Sequence, residues 1–160
     1  MASTDMFLKL ETIKGESKDD AHKGEIDIQS FTFGLQNGGA WSTGGGGGAG
    51  KVAFQDITIH KVADSSTPAL MQACASGQHI KSGVLTVRKA GGKQEEFYKI
   101  SLTNILVSSV VNTGANGAAL SEVVALNFEE IKFDYKEQGE GGTLGGVVKF
   151  GWNIKRNVKV

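Results

Sequence analysis

EVVALNFEEIKFDY, residues Glu122–Tyr135, alternates apolar and polar residues and then changes phase in the middle. Val124, Leu126 and Phe128 share one parity; Ile131, Phe133 and Tyr135 share the other. Successive side chains of a strand point to opposite faces, so the run reads as a strand whose apolar set changes face between Phe128 and Ile131. Two further runs do the same. In EIDIQSFTFGL, Glu25–Leu35, the set is Ile26 and Ile28, then Phe31, Phe33 and Leu35. In VAFQDITI, Val52–Ile59, it is Val52 and Phe54, then Ile57 and Ile59. A β-bulge absorbs one residue, bends the strand and keeps one face inward, which gives a curled double sheet. The alternative is that the two halves bury their apolar sides against different layers, a neighbouring subunit included.

Working outward, β-rich runs also occupy Met6–Leu10, Gly83–Lys89, Glu96–Val110 and Val147–Ile154. Glycine- and asparagine-rich connections separate them at Asn37–Gly50, Gly91–Gly92, Asn112–Gly117 and Gly139–Gly146. One helix is predicted. Ser66 or Thr67 caps it, Pro68 fills the first helical position, and Leu70, Ala73, Cys74 and Gly77 lie on one face, with Gly77 as its stop. The expected fold is mainly β: a curled two-sheet β-barrel with one short flanking α-helix, one domain over residues 1–160.

Composition narrows the function classes. The 17 basic and 17 acidic side chains cancel, so no general field favours nucleic acid or an anionic membrane. No apolar run is long enough to span a membrane, which argues against membrane insertion. The N-terminal residues lack the continuous apolar stretch of a cleavable signal peptide. A lone Cys74 makes no internal disulfide, consistent with synthesis in a reducing cytosol.

GGGGGAGKV, Gly44–Val52, imitates a phosphate-binding loop up to Lys51. The next position is Val52 where magnesium needs a hydroxyl, and a β-branched alternating run follows where the phosphate site needs a helix. The loop is therefore read as a surface connection. His22, His60 and His79 show no metal-pair spacing, and Cys74 has no partner cysteine, so no metal or cofactor is expected. Glu95–Glu96 and Glu129–Glu130 sit in β-like runs and point to opposite faces, which is poor geometry for a carboxylate pair. No catalytic residue is assigned.

DMFLKLETIKGES, HKGEIDIQSFTFG, STPALMQACASGQHI, SGVLTVRKAGG, YKISLTNILVSSV, LNFEEIKFDYKEQ and the terminal GWNIKRNVKV follow in order through nearly the whole chain. Together they resemble Hcp, the tube protein family of bacterial type VI secretion systems. The resemblance implies a non-enzymatic subunit of hexameric rings. Such rings stack into a tube inside a sheath, meet spike components, leave the cell without a leader and shelter effector proteins in the lumen. It implies that the early strand lines the channel, which makes Asp27, Gln29 and Thr32 lumen candidates. It also implies that the loop carrying Gly44, Gly45, Gly46, Gly47, Gly48 and Lys51 packs on neighbouring subunits or rings. No fused effector domain is expected. A freely secreted monomeric binding module is the competing reading.

Overall fold

A computed structural model of the chain describes residues 3–39, 50–138 and 144–160. The strands are β1 (Thr4–Leu10), β2 (Ile26–Ile28), β3 (Ser30–Thr32), β4 (Leu35–Asn37), β5 (Val52–Phe54) and β6 (Ile57–Val62). After helix α1 (Thr67–Ser76) come β7 (Ile80–Lys89), β8 (Glu96–Thr113), β9 (Ser121–Gln138), β10 (Leu144–Asn153) and β11 (Val158–Lys159). The main antiparallel sheet runs β11-β10-β9-β8-β7-β1-β2, with β6 also on β9 and β3 on β6. It curls around one core but is not closed by hydrogen bonds. The chain itself crosses from β2 to β3 through Gln29, whose N–H donates to the His60 carbonyl at 2.8 Å.

Every change of phase read in the sequence marks a change of neighbour. Strand β2 pairs with β1, whereas β3 pairs with β6. Strand β5 pairs with β4, whereas β6 pairs with β3 and β9. Within β9, residues Ser121–Leu126 lie beside β6, and the half from Glu130 onward lies beside β10. The expected bulges are thus corrected at these positions: two are strand breaks, and the third is a corner shared by two strands. Strand β8 changes phase between Leu102 and Ile105, at the level of Phe128 and Ile131, so the β8–β9 register stays constant through the bend. Asn104 takes the left-handed conformation there (φ 51), and its amide donates to the Glu129 carboxylate. Both halves of these strands still face a single core, in which Ile26, Ile57, Ile59, Leu70, Ile100, Ile105, Leu126 and Ile131 are all fully buried.

The helix lies against β8 with Leu70 and Ala73 buried and Cys74 half-buried at the core. Gly77 ends it in the left-handed region (φ 68), with its N–H on the Ala73 carbonyl at 3.0 Å. Ser66, one of the two expected residues, is the N-cap, but its side chain makes no capping hydrogen bond. Asp64 Oδ1 accepts the Ser66 N–H at 2.9 Å, and Thr67 Oγ1 accepts the Asp64 N–H at 3.1 Å, which ties down the turn leading into the helix.

Residues Glu11–Glu25 form a strap over the outer face of β1. Its two arms are tied by Gly15 N–H to Gly24 O at 2.8 Å and Gly24 N–H to Ser17 O at 2.9 Å. A Cβ at Gly15 would stand 2.5 Å from the Glu25 carbonyl oxygen, so only glycine lets the arms approach.

Candidate functional site

The phosphate-loop resemblance ends in a hairpin. Gly44–Gly48 lie outside the described residues. Lys51 is exposed and leads into β5, a strand. Across the hairpin base, Asn37 Nδ2 donates to the Gly50 carbonyl at 2.7 Å. A two-stranded ribbon is marginal by itself. Here Phe33 and Phe54 anchor β4–β5 on Phe128, with ring centroids 6.2–6.5 Å apart.

Two sheet faces stand out. The first is the outer side of β3-β6-β9-β8. Register places Thr32 beside Thr58, Thr58 beside Ala125, and Ala125 beside Ser109. The next row runs Ser30, His60, Val123 and Val111. These side chains point outward because Phe31, Ile57, Ile59, Val124 and Leu126 between them point into the core. Half of the face bears hydroxyls, from Thr32, Thr58, Ser109 and Ser30, and these two rows hold no carboxylate or ammonium group. Asp56 borders it, accepting from Ser108 Oγ at 2.6 Å and Asn127 Nδ2 at 2.9 Å. Of the three early-strand candidates, Thr32 stands on this face and Gln29 at its edge as the crossover residue. Asp27 is elsewhere, on β2 beside the strap. Burial and the nearby carboxylates of Asp64, Asp19 and Asp5 push its carboxyl above the usual range, against a hydrogen bond with Ser17.

The second face belongs to β8-β9-β10 and is apolar in three successive rows: Leu102, Ile131, Trp152; Ile100, Phe133, Phe150; Tyr98, Tyr135, Val148. It starts as the core and runs out past it. Ile131 is fully buried, Phe150 is 37% exposed and Val148 is 66% exposed. Tyr98 meets Phe133 edge-on at 4.8 Å, and Phe97 meets Tyr135 at 6.5 Å. Burial raises the Tyr98 hydroxyl above its ordinary value. The reverse side carries Lys99, Asp134 and Lys149 in one row and Ser101, Lys132 and Gly151 in the next. One side is therefore charged, and the other is apolar and partly open to water.

Sequence reasoning missed two buried charge clusters. Lys61 and Glu122 form an ion pair in the core, and Lys61 Nζ also lies 3.1 Å from Asp64 Oδ1. Parity was an available signal, since both fall on inward positions of their strands. The other cluster lies under the strap. Arg88 holds Asp19 through two hydrogen bonds, reaches Asp5 at 3.4 Å, and stands 4.9 Å over the Phe7 ring. Among the described residues, no group of three or more His, Cys, Asp or Glu is placed to hold a metal ion. None of the described helices is long and apolar enough to cross a membrane.

A curled β-domain with a short-chained polar wall on one side and an uncovered apolar face on another has the build of an assembly subunit. Comparison with known proteins gives the class: the chain is a type VI secretion protein. Residues 7–135 match the family model described as "Type VI secretion system effector, Hcp". The chain is 48% identical over 160 residues to protein hcp1 of Pseudomonas aeruginosa, covering 98% of this chain and 99% of that protein. The crystal structure of Hcp1 from Salmonella typhimurium superposes with a TM-score of 0.81 at 31% identity, covering 100% of both chains. A structure titled as a type six secretion system protein superposes with a TM-score of 0.94 at 28% identity, covering 99% of this chain and 100% of that one. The chain belongs to the Hcp family of type VI secretion tube proteins.

Proposed function

We propose that the chain is the repeating subunit of closed hexameric rings that stack into the secretion tube and carry effector proteins in their lumen. The tube sits within the sheath, bears the spike, and is exported. The subunit has no catalytic role. The observation that carries this reading is the apolar face of β8-β9-β10, which leaves the core uncovered at Tyr135, Val148 and Phe150. Covering the part of these side chains still in water would add a fraction of the about 1.5–3 kcal/mol that full burial of each is worth, a driving force for a second copy to dock there. A ring of identical subunits needs head-to-tail contacts, in which one patch meets a different patch on the next copy. The Ser/Thr-rich face around Thr32 suits a channel wall, because short uncharged side chains offer no strong, selective grip on passing cargo. The β4–β5 hairpin, with the exposed Lys51 leading into β5, is suited to reach a neighbouring subunit or ring.

The test is size-exclusion with light scattering, followed by negative-stain imaging. Wild type is expected as a ring, and Val148→Asp as a folded monomer with an unchanged far-ultraviolet spectrum. A wild-type monomer at tens of micromolar would instead support the freely secreted binding module.

A further inference from the structure

We propose that His22 is a proton-operated clasp that holds the Glu11–Glu25 strap onto the barrel. The ring is buried, 6% exposed, and stacks flat on Phe7 at 4.4 Å with 7° between the planes. Its Nδ1 lies 2.8 Å from Glu25 Oε2, and its Nε2 lies 2.7 Å from Glu96 Oε1. A carboxylate only accepts, so each of these bonds requires an N–H on the ring. A neutral imidazole has one N–H and one bare nitrogen. It can therefore close on Glu25 or on Glu96, but not on both. The doubly protonated ring closes on both, joining the strap to the first residue of β8, 74 positions away in sequence.

Two carboxylates face the ring, one on each nitrogen. Lys99 Nζ stands 3.8 Å from Glu96 and is half in solvent. Arg88 of β7 reaches Phe7 but is taken up by Asp19 of the strap and Asp5 of β1. Asp27 of β2 adds a further carboxyl to that group. The His22 N–H itself is fixed by Asp19 Oδ1 at 3.2 Å, so the ring is placed by its own turn before it meets Glu96. Loss of one ring proton leaves a nitrogen lone pair facing a carboxylate inside a packed site, which is repulsive and opens the strap-to-barrel link. The Arg88–Asp19 link stays, so release is local and does not unfold the barrel.

The experiment uses the full chain across about pH 5.5 to about 8.5, the range in which an imidazole changes charge. Nitrogen NMR reads the protonation of both ring nitrogens of His22. Amide hydrogen exchange reads the strap at Gly15, Ser17 and Gly24, whose N–H groups are bonded within it, against Ile100 in the core. At the acid end both ring nitrogens are expected to be protonated. Towards the alkaline end, protection of the strap amides relative to Ile100 is expected to fall by about tenfold or more. In Glu96→Gln the amide can donate to the bare nitrogen of a neutral ring, so strap protection becomes flat with pH. A singly protonated ring at the acid end overturns the clasp, as does wild-type strap protection that follows Ile100 throughout. So does a folded Glu96→Gln protein that keeps the wild-type pH response. The ring measurement on wild type decides the matter even if the variant does not fold.

Discussion

Lys61 of β6 and Glu122 of β9 stand directly opposite each other on the inward face, in the row after Ile57–Leu126 and Ile59–Val124. Neither side chain is more than 1% exposed. Removing one member leaves an uncompensated buried charge. Lys61→Met is therefore expected to cost about 3–5 kcal/mol, and Lys61→Met with Glu122→Leu to recover most of it. Urea denaturation of the two variants checks this, and a stable Lys61→Met would refute it. The single variant should also fray the start of α1, since Lys61 braces Asp64, which holds the N–H of the N-cap residue Ser66.

Gly15 and Gly83 are both crowded, but by different neighbours. A Cβ at Gly15 meets backbone at 2.5 Å, which cannot turn away. A Cβ at Gly83 meets the ends of Ile105 and Leu10 side chains at 2.8 Å, which can shift. Gly15→Ala should fall at or above the upper end of the overpacking range of about 1–3 kcal/mol, and Gly83→Ala near its lower end. Equal thermal shifts for the two would contradict the description of the strap.

Acid should loosen the strap through Asp19. Its hydrogen bonds to the Arg88 guanidinium hold the carboxyl below the usual range, although burial opposes them. A lowered folded-state value means that the unfolded chain takes the proton first. The stabilisation is present above about pH 3.9 and disappears as pH falls through the folded value. Asp19→Asn should therefore lower Tm at neutral pH and flatten its decline below about pH 4. A Tm profile parallel to wild type would show that the pair adds nothing.

Thr32 tests the channel wall. It is exposed on β3 opposite Thr58, with its neighbours Phe31 and Phe33 turned to the core. Thr32→Arg should leave ring size unchanged and reduce the effector protein that co-purifies with the ring, since each ring would carry the arginine on every subunit. Unchanged cargo retention, or loss of the ring, would move Thr32 out of the lumen.

The repeated period-2 runs, the glycine connections and the Pro68–Gly77 helix were legible in the sequence because they are local. Side-chain alternation, proline's missing N–H and glycine's access to positive φ act within a few residues. The three changes of phase were legible as well, and so was the family, from the order of its segments. Their cause was not. Whether a strand bulges or changes neighbour depends on which distant strand lies alongside, and β6 gives way to β10 beside β9 only in the folded sheet. The inward parity of Lys61 and Glu122 was visible, but their pairing requires a register set 61 residues apart. His22 showed only a lack of metal-pair spacing in the sequence, because its second carboxylate arrives from β8. Alternation also looks the same at Ile131 and Tyr135. How far the cover over that face extends is decided by the packing of whole strands, and it stops before Val148.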